Sequence, residues 1–234
     1  AGIVGSAPLL IGDRVANILD KHLNIASDRF KGIRSQAAMH PDGTIPVSRA
    51  RPIEGVYIND NFQKGFAHLE SRNLSFEAWC YHPQLPQLIE LAKKFPNTSI
   101  ILNHFGGPLG VGSFSNKEDE TYNFWEKQII ELSKCENVVA KLGGIAMEIN
   151  GFDWHKNSSA PSGSELINRT KRYYDKTLNL FGIDRCMFES NFPVDKISCS
   201  YVNLWNGFKE LTKGYSQSER AKLFHDNASK TYKL

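Results

Sequence analysis

Side chains able to bind a carbonyl, polarise it or move a proton recur at the ends of short apolar segments. Arg34 follows Phe30-Lys-Gly-Ile, His82 follows the run from Phe76 to Tyr81, and His104 follows Ile100-Ile-Leu-Asn. Lys141 follows Val138-Val-Ala, and Glu189 and Asn191 follow Cys186-Met-Phe. A neutral imidazole near pH 7 can ligate a metal, accept a proton or polarise a carbonyl. His104, with Ile100 and Leu102 expected beneath it on one strand face, is the leading catalytic residue and the candidate metal ligand. A guanidinium at Arg34 suits a carboxylate or a lactone carbonyl. A lone lysine in an apolar strand is costly unless it reaches a polar cavity, which makes Lys141 a substrate-binding candidate. Tyr81 and His82 fall on opposite faces, so one of them points into the cavity, and His82 is favoured. Glu189 and Asn191 share a face with Met187, about 6–7 Å apart along the strand. Trp154 and His155 lie in the longest loop, where a substrate lid is expected.

Such groups need a frame that brings distant strand ends together. Strand-like segments recur over residues 2–6, 30–34, 74–81, 99–104, 137–142 and 185–190, each followed by an amphipathic helical stretch. That alternation is the signature of parallel βαβ units. Ser162-Gly-Ser-Glu165 and Ser216-Gln-Ser-Glu219 read as capping boxes that start helices. The choice lies between a closed (β/α)8 TIM barrel and an open doubly wound sheet, and no GxGxxG or Walker A sequence favours the second. A barrel closes with eight strands, yet six units are counted and the first begins two residues from Ala1. The expectation is therefore a single barrel domain over 1–234 that is N-terminally truncated, with strands 3 to 8 present and the first two βα units missing.

The 234 residues, 41% hydrophobic with a formal charge of +3, are enough for one sizeable core. The 28 basic and 25 acidic residues are interspersed, which argues against a nucleic-acid partner. Apolar runs are too short to span a bilayer and no signal-like segment opens the chain, so no membrane partner and a cytoplasmic location are expected. Cys80, Cys135, Cys186 and Cys199 have no CxxC spacing and read as reduced core residues.

Phe30-Lys-Gly-Ile-Arg34, Asn103-His-Phe-Gly-Gly-Pro108, Ala140-Lys-Leu-Gly-Gly144 and Arg185-Cys-Met-Phe-Glu-Ser-Asn-Phe-Pro-Val194 together resemble the amidohydrolase-related (amidohydrolase 2) family, above all its lactonase-like branch. The resemblance covers nearly the whole chain. It implies an amidohydrolase-type barrel that hydrolyses lactones or related esters and amides, with decarboxylation in some relatives. It also implies water activated by a strand-eight aspartate, with or without a divalent metal such as zinc. Here Asn191 stands at that aspartate's position, and an amide is no general base. Glu189, or Asp195 in the following loop, is expected to replace it. A hydrolytic zinc site takes three protein ligands, and His104 with His82 supplies two at most. The expected partner is a small-molecule substrate, with a metal-dependent decarboxylase or a ligand-binding barrel as the rival readings and homo-oligomerisation left open.

Overall fold

The computed structural model describes residues 1–47 and 51–234. Six parallel strands lie side by side in chain order: β1 (Ile3–Gly5), β2 (Phe30–Gln36), β3 (Ser75–Trp79), β4 (Ile100–Leu102), β5 (Val138–Leu142) and β6 (Cys186–Phe188). Between and after them run α1 (Ala16–Ile25), α2 (Asp60–Ala67), α3 (Leu85–Lys94), α4 (Glu118–Ser133), α5 (Gly163–Phe181), α6 (Tyr201–Leu211), α7 (Gln217–Ala221) and α8 (Asn227–Tyr232). The six expected βα units are all present in the expected order. Both capping boxes form: Glu165 N–H donates to Ser162 Oγ at 3.2 Å, and Glu219 N–H to Ser216 Oγ at 3.3 Å. All four cysteines are free and buried. Among the described residues, no helix is long and apolar enough to cross a membrane.

The register assigns each strand residue to a face, because paired neighbours in a parallel sheet point the same way. Phe76, Ile100 and Val138 pair in a row, as do Ala78, Leu102 and Ala140, and all belong to the main core cluster with Leu88, Leu91, Trp125 and Ile129 of α3 and α4. That row is the helix side. Arg34, Glu77, Ile101 and Val139 pair in the alternate row, and Lys141 pairs with Met187. From β5, Lys141 reaches Glu77 on β3 across Ile101, so this face is concave and forms the barrel interior.

One expectation is corrected here. Ile100 and Leu102 face the helices, not the barrel interior, and strict alternation would carry His104 outward with them. His104 returns because the strand ends before it: His104 (φ 53°) and Phe105 (φ 58°) both take the left-handed conformation. That conformation costs about 1–2 kcal/mol per non-glycine residue. The turn is held by Trp125, fully buried in α4, whose indole N–H donates to Phe105 O at 2.6 Å.

Candidate active site

Six strand or strand-end residues, Arg34, Glu77, Trp79, His104, Lys141 and Glu189, converge on the concave face. His104 Nδ1 lies 2.5 Å from Glu189 Oε1, just beyond β6, and His104 Nε2 lies 3.3 Å from Arg34 Nη2 on β2. Guanidinium has only donors, so Nε2 accepts and the ring proton sits on Nδ1, pointed at Glu189. The edge of Trp79 packs on the imidazole with ring centroids 4.8 Å apart. Gly144, at the end of β5, makes this approach possible: a Cβ there would stand 2.3 Å from His104 Nδ1, and its φ of 75° suits glycine.

Lys141 donates to both Glu77 oxygens at 2.8 Å and stands 3.9 Å from Glu189 Oε2. Tyr232 of α8 also donates to Glu77 Oε1. Burial, reinforced by the adjacent Glu77, pushes the Tyr232 phenol well above its usual range and keeps it a donor. For Glu189, burial is the largest single influence and would raise the carboxyl. His104, Lys141 and Arg34 together outweigh it and hold the group at about 2. The arrangement is an ionised carboxylate behind an imidazole whose far nitrogen faces a fixed cation.

Asp195 and Asn191 form a second pair just beyond β6. Asn191, in a left-handed conformation (φ 52°), donates from Nδ2 to Asp195 Oδ1 at 2.6 Å. Asp195 is fully buried and its Oδ2 has no hydrogen-bond partner among the described residues. Burial pushes its carboxyl up to about 7, against the smaller lowering effects of Asn191 and His104. Between about pH 4 and 7 the folded chain therefore keeps a proton that the unfolded chain releases. Stability is highest below that window and declines as pH rises through it. Asp195→Asn is expected to remove the decline, raising stability at pH 8 on the order of 2–4 kcal/mol with little change at pH 4. Thermal melts of the parent and variant across pH 4–8 check this; equal pH slopes would contradict it.

The remaining expected residues lie apart from this cluster. His82 is buried, and its Nδ1 accepts the Leu109 N–H at 3.2 Å. It packs against Phe114 and Phe124, away from His104. Trp79 of β3, not His82, is the aromatic neighbour of His104. Trp154 stacks on Phe152 and His155 faces Glu148 at 3.9 Å, contacts within their own loop. Glu77, Trp79 and Tyr232 are members of the cluster that the sequence reading did not name. The buried amide of Asn103, two residues past Ile101, has no partner on either atom among the described residues, which marks it as a polar group available to a bound molecule.

A profile described as Amidohydrolase matches residues 3–234. The chain belongs to the amidohydrolase family. This amidohydrolase is 36% identical to the uncharacterized protein y4mH of Sinorhizobium fredii, over all of this chain and 70% of that protein. It is 25% identical to L-fucono-1,5-lactonase of Burkholderia multivorans, over 76% of this chain and 58% of that enzyme's length. In fold it is similar to a Burkholderia multivorans amidohydrolase crystallised with bound HEPES: TM-score 0.81 at 22% identity, covering all of this chain and 74% of the other. That protein was also crystallised with bound zinc. In this amidohydrolase the donor set does not fit a metal as arranged. Nδ1 of His104 is engaged by Glu189, Nε2 faces a guanidinium, and among the described residues no three His, Cys, Asp or Glu side chains are grouped so as to hold a metal ion.

Proposed function

We propose that this amidohydrolase opens a small, uncharged lactone with water, using His104 as general base and acid. The observation that carries this reading is the orientation of His104, with Nδ1–H on Glu189 and Nε2 as acceptor beside Arg34. Water displacing the long Arg34 contact gives its proton to Nε2 as its oxygen attacks the lactone carbonyl. Glu189 stabilises the imidazolium that forms, and Arg34 donates to the carbonyl oxygen as it gains charge. When the ring C–O bond breaks, His104 returns the proton to the departing oxygen, leaving a hydroxy acid. Glu189, an expected substitute for the strand-eight aspartate, acts in this scheme behind the imidazole. Asp195, the other, acts through Asn191.

The charge balance bears on the substrate. Arg34 and Lys141 alone would favour a carboxylate-bearing ligand, but Glu77 and Glu189 lie against Lys141 and Arg34 also acts electrostatically on Glu189, so the face carries little surplus positive charge. A hydroxylated lactone, whose oxygens accept from Arg34 and Asn103, suits it better than a dicarboxylate. The 25% identity to L-fucono-1,5-lactonase supports the same class. L-fucono-1,5-lactone and other neutral aldonolactones are expected to release one proton per ring opened, followed with a pH indicator, with no carbon dioxide. Release of carbon dioxide from hydroxybenzoates in place of acid would favour decarboxylation. No turnover across both panels would favour a ligand-binding barrel.

A further inference from the structure

A cavity of about 410 Å³ lies outside the mouth, between the loop after β2, the segment His82–Pro83, the turn after β4 and the first half of α4. Its volume falls in the roughly 300–1,000 Å³ range of small-molecule pockets. Phe114, on the turn after β4, packs against the small apolar cluster that contains Trp79 and Tyr81. None of the residues lining this cavity is among those that contact His104, so the two sites are distinct.

The cavity is built and polar in a particular way. His82 Nδ1 accepts the Leu109 N–H at 3.2 Å, and His40 Nδ1 accepts the Asp42 N–H at 3.1 Å. In each neutral ring the proton is therefore left on Nε2, which becomes a donor. Burial lowers the His82 pKa to about 4, so that ring stays neutral near pH 7. Lys117 lines the same cavity, and its ammonium makes no ion pair among the described residues. The Thr121 hydroxyl, on a residue 3% exposed that also lines it, has no hydrogen-bond partner among the described residues. The walls are aromatic: His82 meets Phe114 and Phe124 edge-on at 4.9 and 5.7 Å, and His40 meets Phe114 at 5.1 Å.

The rim is pinned. Asp42 accepts from Thr44 N–H at 3.0 Å, Thr44 Oγ1 at 2.6 Å and Ser113 N–H at 2.7 Å, tying the loop after β2 to the turn after β4. Gly112 (φ 59°) permits that closeness, because a Cβ there would meet Asp42 Oδ2 at 2.7 Å. The donors from Thr44 and Ser113 hold the Asp42 carboxyl well below its usual range, so the tie persists in mild acid.

From two imidazole donors, an unpaired ammonium and aromatic walls in a pinned cavity, we infer a second binding site for a small planar carboxylate, an aromatic or unsaturated acid. The carboxylate meets His40, His82 and Lys117, and its ring packs between Phe114 and Phe124. Glu120 also lines the cavity and works against an anion, so the sign of the ligand's charge is the point to test. Benzoate titrated into the whole chain by calorimetry is expected to bind one-to-one, with benzylamine failing to compete. Lys117→Gln should raise the benzoate Kd about tenfold, the scale of one charge-assisted hydrogen bond. Phe124→Ala, at a position 40% exposed, should weaken binding with the fold intact, and Phe124→Leu should restore part of it. Arg34→Gln should leave binding unchanged. The inference is overturned if benzoate does not bind, if benzylamine binds as tightly, or if Arg34→Gln and not Lys117→Gln weakens it.

Discussion

Glu189→Gln is expected to lower kcat for lactone opening roughly 10³–10⁴-fold, with KM little changed. The carboxylate stands 2.5 Å from His104 Nδ1, favours the ring proton on that nitrogen and so keeps Nε2 free to take a proton from water. A glutamine can turn its amide N–H toward Nδ1 instead, which places the ring proton on Nε2, where it blocks the base. An interaction made mainly in the transition state lowers kcat and kcat/KM together, so the loss should appear equally in both. His104→Ala should lose at least as much, and the double variant little more than His104→Ala alone, because the two residues act as a unit. Full activity in Glu189→Gln alongside collapse in Asp195→Asn would move the base to Asp195 and sink the dyad. Circular dichroism on each variant separates lost chemistry from lost fold.

The architecture was legible because each strand segment is apolar and short and each is followed by a helical period. The observed strands fall within or close to the expected segments. The polar ends of those strands were legible for the same reason, since a charge there is tolerated only where it meets a cavity or a partner. Arg34, Lys141 and Glu189 are brought together on that account. Period-two alternation failed for His104, where two successive left-handed residues reset the side-chain direction. His104 reaches the concave face as expected, but Ile100 and Leu102 do not lie beneath it. Gly106, Gly107 and Pro108 are turn-forming residues, but glycine and proline after a histidine do not say that the histidine itself is left-handed. Glu77 was missed because Phe76, Ala78 and Trp79 around it read as plain core. The cost argument applied to Lys141 applies equally to a carboxylate inside a buried strand, and two unpaired opposite charges invite pairing. Tyr232 had no such signal, since its partner lies 155 residues away and is fixed by how α8 packs against the barrel.

That buried pairing sets the largest expected effect on stability. The Glu77 side chain is 4% exposed and Lys141 14%, with both carboxylate oxygens 2.8 Å from the ammonium. Two charges taken out of water are tolerated because each neutralises the other; neither would remain there alone. Lys141→Met fills similar space but leaves Glu77 with the Tyr232 hydroxyl as its one remaining hydrogen-bond partner among the described residues, and takes from Glu189 a cation 3.9 Å away. The expected loss is about 3–5 kcal/mol, the usual consequence of removing one partner from a buried ion pair. In a domain of this size that lowers Tm by roughly 6–20 °C. The double variant Lys141→Met with Glu77→Gln should recover most of it, because a neutral amide and a thioether leave no unpaired charge between β3 and β5, and Glu189 keeps His104 beside it. Thermal melts of the parent, both single variants and the double variant close the cycle, and a coupling energy near zero would mean that the pair contributes nothing to holding β3 and β5 together. A large coupling would place the ion pair in the scaffold that holds Glu189 against His104, with Lys141 serving the site by position and not by contact with substrate.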